Sequence, residues 1–287
     1  MRFTFLLVLV SHFALSQSSR VKPYAPEIFP DNTSGAVCGF ANSGRTIFFV
    51  REDTVADKLV LYQAQNKGKS WIEIQPLPFS RKYNDMGARL TPDGNTIYFT
   101  SDRPGGSARE NDHWNIWMSK RTGEIWSEPE PISAINNKGD ECCPLPMPDG
   151  SLIFSSSDKD NNEWQMHSIN GDEVTSLEAL NNVEAWQWPS SYYENEIFLL
   201  FNSMKREDSR GKDDIYISFH KNGKWTMPLN LGEVVNTPIY EDGAILSYDE
   251  KYLIYNQHET GATPSQVVFT KWKPILKALK KQIDNAK

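Results

Sequence analysis

Four carboxylates recur at similar offsets along the 287-residue chain. Asp85, Glu141 and Glu241 each lie nine residues before a turn marker (Gly94, Gly150, Glu250), and Glu184 lies ten before Glu194. Gathered at one place, such acids could do three kinds of chemistry. They could accept hydrogen bonds from loop backbone, the common fate of buried carboxylates. They could ligate a hard cation such as Ca²⁺. Two of them could act as acid and base, because like charges at close range raise one pKa, as a general acid requires. Asp102, Arg103, His113, Trp114 and His258 stand at strand ends or in the loops beyond, within reach of the same region. Trp186 and Trp188 are two residues apart, so on a strand they point to one side and could stack on a sugar or peptide. The sequence has no GxSxG elbow, P-loop, HExxH or CxxC. Hydrolase-elbow, nucleotide and zinc readings therefore have no motif support.

Positioning these residues requires a repeated scaffold, and the chain writes one. "TPDGNTIYFTSDRPGG" (91–106) is nearly copied in "MPDGSLIFSSSD" from Met147, with looser copies at 41–50, 191–203 and 247–257. Gly44, Gly94, Gly150, Glu194 and Glu250 mark the five, at intervals of 50, 56, 44 and 56 residues. Asp-Gly or Ser-Gly permits the positive φ of a two-residue hairpin, and the β-branched and aromatic run that follows is a strand. Each marker is followed by an alternating strand (57–64, 115–120, 163–169, 214–219, 266–272). A Gly turn then leads to a Trp-and-Pro segment (68–79, 123–132, 223–231), replaced in the third unit by 171–180. A fourth segment precedes each turn (32–40, 84–90, 140–146, 183–189, 240–246). Four strands in each of five units predict an all-β fold, a five-bladed β-propeller. The last unit lacks its final strand. "YAPEIF" (24–29) matches "SEPEPI" (127–132) and is expected to supply it, closing the ring without an open edge. The carboxylates then stand at the starts of the innermost strands, at one channel mouth. The longer polar loops (102–112, 157–163, 205–214, 258–264) share that face.

The paragraph "PDGNTIYFTSDRPGG…NIWMSKRTGEIWSEPEPI…INNKGDE" resembles the WD40-like PD40 repeat of the TolB-type propellers, over roughly residues 24–272. The resemblance implies a propeller of the sort found in many exported bacterial proteins. It implies no single activity, because such folds carry binding scaffolds, complex components and enzyme-attached modules alike. An acid at the start of the innermost strand belongs to the common motif, which favours a structural task for it.

Residues 1–16 combine Arg2, an apolar run and small residues at Ala14 and Ser16, the pattern of a secretory signal peptide. Their apolar run is too short to span a bilayer, and no other stretch approaches that length. Location outside the cytoplasm, secreted or periplasmic, is expected. Net charge is −7, and the last 17 residues (271–287) hold six Lys against one Asp, so the body is more acidic still. A nucleic-acid partner is not indicated. Residues 17–272 form the propeller and 273–287 an amphipathic tail, in which Ile275, Leu276, Leu279 and Ile283 share one helical face and brace the propeller. Cys38, Cys142 and Cys143 read as small apolar strand residues, although the vicinal pair could close a strained ring. The sequence thus predicts an exported, monomeric binding module that receives a protein, peptide or glycan at the loop face and channel mouth. The alternative is a carbohydrate-active enzyme, a glycosidase or lyase, using carboxylates there. No cofactor is evident beyond the Ca²⁺ that crowded acids could hold.

Overall fold

The computed structural model describes residues 21–31, 33–68, 70–106, 114–136, 139–157, 163–181, 185–193, 197–259 and 264–285. The expected signal peptide, His113 and Glu184 lie outside the described residues.

Five antiparallel sheets stand around one axis. Blade 1 holds β2 (Gly35–Ala41), β3 (Thr46–Asp53), β4 (Lys58–Lys67) and β5 (Ser70–Pro76). Blade 2 holds β6 (Asp85–Leu90), β7 (Thr96–Ser101) and β8 (Asn115–Thr122), with β9 (Ile125–Trp126) and β10 (Glu130–Pro131) both pairing with β8. Blade 3 holds β11 (Glu141–Pro146), β12 (Leu152–Ser157), β13 (Trp164–Asn170) and β14 (Glu173–Ser176). Blade 4 holds β15 (Gln187–Tyr193), β16 (Phe198–Ser203) and β17 (Asp214–Lys221), flanked by β18 (Lys224–Trp225) and β19 (Leu229–Asn230). Blade 5 holds β20 (Tyr240–Leu246), β21 (Tyr252–His258) and β22 (Gln266–Lys271). Its outer strand is β1 (Lys22–Pro23), from the other end of the chain. The inner strands β2, β6, β11, β15 and β20 each neighbour the next around the ring, and β20 returns to β2.

The ring closes five residues earlier than the register of "YAPEIF" implies, which would set Glu27 opposite Phe269 as Glu130 is set opposite Met118. Lys22 pairs with Phe269 and Pro23 with Val268, and Tyr24 N donates to Val267 O at 2.8 Å. Pro23 has no N–H to offer, and an outermost strand tolerates that. From Ala25 (φ +44°) the backbone leaves the sheet in a turn, with Ile28 and Phe29 N donating back to Ala25 O. Both side chains then fill the seam between blades 1 and 5, beside Val37, Ile47, Ile254 and Val267. Burial of two large apolar groups outweighs a longer edge pairing.

The repeated turns are longer than two-residue hairpins. In blade 2, Thr91 N donates to Thr96 O at 2.9 Å and Gly94 N to Thr91 O at 2.8 Å, with Asp93 Oδ1 accepting from Asn95 N at 3.0 Å. Gly94 takes φ +72° and Gly150 +86°, as the Asp-Gly pairs require. Connectors between blades are fastened by an asparagine to the third strand of the blade they leave. Asn136 accepts from Ile116 N at 2.9 Å and donates to Ile116 O at 2.8 Å. Asn181 does the same to Met166 (2.8 and 2.9 Å) and Asn236 to Ile215 (2.9 and 2.9 Å).

The chain ends in α1 (Trp272–Asn285). Trp272, Ile275 and Leu279 are buried against Phe198, Leu253 and Tyr255 of blades 4 and 5, with Leu276 and Ile283 partly buried alongside. The helix is a brace over one seam. Among the described residues no helix is long and apolar enough to cross a membrane.

Candidate functional site

Strand alternation decides which side chains reach the axis. Successive residues face opposite sides, so a one-residue step separates the channel from the blade interior. Asp85, Glu141 and Glu241 take the blade side, and none of them lines the central cavity. Asp85 is fully buried, accepting from Ser80 Oγ at 2.6 Å and from Arg103 Nη2 at 2.7 Å. Arg103 is itself buried among Phe79, Tyr83, Phe99 and Trp117, so the pair fastens the seam between blades 1 and 2. Glu141 Oε1 accepts from Gly139 N at 3.3 Å. Glu241 accepts from Thr237 N at 3.0 Å and Gln257 Nε2 at 3.2 Å, and also from the Thr237 hydroxyl. Burial pushes its carboxyl up to about 7. Their placement at the channel mouth is therefore corrected: these acids hold the loops that lead into the inner strands. Asp102 has a similar task, taking Asn84 N at 2.9 Å and Asn84 Nδ2 at 2.7 Å.

The residues one step along do reach the axis. Met86, Cys142, Trp188 and Asp242 line a cavity of about 520 Å³ at the end where the inner strands begin. A β-bulge interrupts each inner strand just beyond this point, in register shifts at Val37/Gly39, Met86/Arg89, Cys142/Leu145, Pro189/Ser191 and Asp242/Ile245. A bulge kinks the strand and re-aims its side chains. Below it, Arg89 reaches from blade 2 across the axis to the Ser190 carbonyl of blade 4, and its Nη1 donates to Ala88 O at 2.8 Å.

The cavity has two kinds of wall. Blades 2, 3 and 4 present Trp114, Trp164 and Trp188. Trp188 meets Trp186 edge to face at 6.2 Å, and Lys205 Nζ lies 5.9 Å over the Trp186 ring, outside the cavity wall. Blades 4 and 5 present Asn202, Asp213, Asp242 and Asn256. Asp242 is held by Asn256 Nδ2 at 2.7 Å and His258 Nε2 at 3.2 Å, and His258 stacks on Tyr240 at 4.7 Å. His258 therefore positions a wall carboxylate instead of lining the cavity itself. Asp213 is 6% exposed, and its Oδ1 is buried without a hydrogen-bond partner. Burial first, then the nearby charges of Asp242, Asp214 and Glu241, push its carboxyl well above the usual range. Such surroundings favour the protonated form of the carboxyl. Among the described residues, no group of three or more His, Cys, Asp or Glu side chains converges as a metal site.

Sequence reasoning missed Asp213, Asp242 and Trp164. Asp242 adjoins Glu241 in "YEDGAIL", and its signal was the Gly at 243 (φ +65°), which marks the bulge that turns it inward. Trp164 begins the third strand of blade 3, and Trp114 and Asp213 immediately precede those of blades 2 and 4, so the blade repeat itself carried their address.

No family model matches the chain, and no curated protein sequence does. Solved structures match its fold. One described simply as a glycoside hydrolase aligns with 92% of this chain and 95% of its own length, at 10% identity and a TM-score of 0.54. A thermostable family-43 glycoside hydrolase aligns with 82% and 88%, at 13% identity and 0.52. An endo-arabinase from Bacteroides thetaiotaomicron VPI-5482 aligns with 84% and 94%, at 9% identity and 0.51. In three further matches this chain spans only 34 to 36% of a longer protein. At these identities the likeness is one of fold: the chain is similar to five-bladed propellers.

Proposed function

We propose that this chain is an exported PD40-type propeller that binds a glycan in its central cavity as a monomer. The observation that carries the reading is the pairing of an aromatic wall (Trp114, Trp164, Trp188) with a carboxylate and amide wall (Asp213, Asp242, Asn202, Asn256) in one cavity of about 520 Å³. Sugar rings offer an apolar face of C–H groups and a rim of hydroxyls. Aromatic rings suit the first, and carboxylates and amides accept and donate to the second. Glycoside hydrolases among the fold neighbours add support by analogy. A protein partner fits less well, because a cavity of about 520 Å³ suits a small ligand where a protein interface is broad.

The test is a glycan array followed by calorimetry on the glycan retained. Trp188→Ala is expected to weaken binding about tenfold, as the loss of one stacking platform would. If no glycan is retained, or if Trp188→Ala binds as tightly as the parent, the reading fails.

Asp213 favours a second reading, cleavage of a glycosidic bond. A buried carboxyl whose surroundings favour its protonated form, beside a carboxylate oriented by Asn256 and His258, is the arrangement of a general acid with a base or nucleophile. In that reading Asp213 protonates the departing oxygen and Asp242 acts on the opposite side of the sugar. Reducing-end release from the bound glycan would distinguish catalysis from binding alone. Asp213→Asn should then lower kcat by about a hundredfold or more and leave binding nearly unchanged.

A further inference from the structure

Cys142 and Cys143 stand side by side on the innermost strand of blade 3, and both line the cavity. That is unusual for neighbours on a strand, which face opposite sides. The backbone explains it. The register of β11 slips between Cys142 and Leu145, and Cys143 adopts φ +55°. The matching positions in blades 2 and 5 are Gly87 (φ +56°) and Gly243 (φ +65°), residues that take this conformation freely. In blade 3 a side chain bears the left-handed conformation, and strain of that sort gathers at functional sites. Cys143 N is anchored by donating to Thr100 Oγ1 at 3.0 Å.

The thiols differ in access. Cys142 is 5% exposed and Cys143 is half-buried. The Cys143 thiol lies against that of Cys142, and burial, with this neighbour, pushes the Cys142 thiol well above the usual range. Cys38 is also buried, in blade 1, but does not line the cavity and donates weakly to Ala36 O at 3.8 Å.

We propose that Cys142 and Cys143 form a vicinal dithiol that undergoes thiol–disulfide exchange with small disulfides entering the cavity, closing to a ring on the cavity wall. The Cys143 thiolate attacks one sulfur of the incoming disulfide, forms a mixed disulfide and releases one thiol. The Cys142 thiolate then attacks the Cys143 sulfur and expels the second thiol. Two S–H groups become one S–S bond, the incoming disulfide is reduced to two thiols, and each leaving thiolate takes up a proton. Adjacent Cα atoms lie about 3.8 Å apart, closer than the usual disulfide span, so the ring is strained and mild reductants reopen it. The proposal stands independently of the glycan reading.

The test uses the full-length protein and glutathione disulfide. After exposure, the protein is denatured, alkylated with iodoacetamide, digested and weighed. The expected result is that Cys38 is alkylated, while the peptide bearing Cys142 and Cys143 carries no alkyl group and is lighter by two hydrogens than the dithiol. Dithiothreitol restores alkylation at both. In Cys142→Ser the reaction should stop at a glutathione adduct on Cys143, and in Cys143→Ser no adduct should form. Equal alkylation of all three cysteines, a persistent glutathione adduct on wild-type Cys143, or a bridge to Cys38 would each overturn the proposal. Should a serine variant fail to fold, the mass of the wild-type peptide decides alone.

Discussion

A single step along a strand separates a side chain that holds the scaffold from one that meets a ligand. Glu241 and Asp242 are both acids on β20, yet Glu241 is buried in loop contacts and Asp242 faces the cavity. The repeat made the acid position legible, and the family pattern pointed toward a structural task for it. The side was hidden, because the bulges that set which residue turns inward depend on pairing across the sheet. Burial of Glu241 has a measurable consequence. Its folded pKa of about 7 exceeds the ordinary 4.5. Between those values the folded state holds a proton that the unfolded state has released. Stability therefore falls as pH rises through that window and levels off above it, by on the order of 3 kcal/mol from this group. Asp213, raised in the same direction, adds to the slope. Urea unfolding at about pH 5 and about pH 8 should show wild type losing more stability than Glu241→Gln. Equal losses in the two proteins would contradict this account of the glutamate.

At the level of the elements, the blades were readable because turn chemistry and strand periodicity agree in "PDGNTIYF" and "PDGSLIF". In sequence "GEIWSEPEPI" reads as one strand, whereas it forms two short pieces, β9 and β10, because its prolines break a continuous edge strand. The asparagine connectors carried no meaning in sequence terms. "INN" and "LNN" look like loop, and their purpose emerges only when the connector folds back on the third strand of its own blade. Asn236 closes a two-bond clamp on Ile215 and is 1% exposed. Asn236→Ala leaves the buried Ile215 N–H without a partner, while Ile215 O keeps its bond from Leu231 N at 3.1 Å, so the loss is about 2 kcal/mol. Chemical denaturation should register that loss, while Asn95→Ala, on an exposed turn, should cost under about 1 kcal/mol. A near-neutral Asn236→Ala would mean that water replaces the clamp.

For the molecule as a whole, closure depends on Lys22–Tyr24 meeting β22. The need for a closing strand was visible in the sequence, but its register was set by where Ile28 and Phe29 find a core. A chain that begins at Ala25 leaves the β22 edge bare. It should melt roughly 5 °C lower and self-associate through that edge. Scanning calorimetry and size-exclusion chromatography would report both, and an unchanged, monomeric profile would show that the ring does not need its latch. Many rings are hollow, but the arm of Arg89, fastened to Ser190 on the far side, makes this one a cup. A long polymer cannot be threaded through a cup. Whatever settles inside must be short, or must offer its tip, and it departs by the door through which it came.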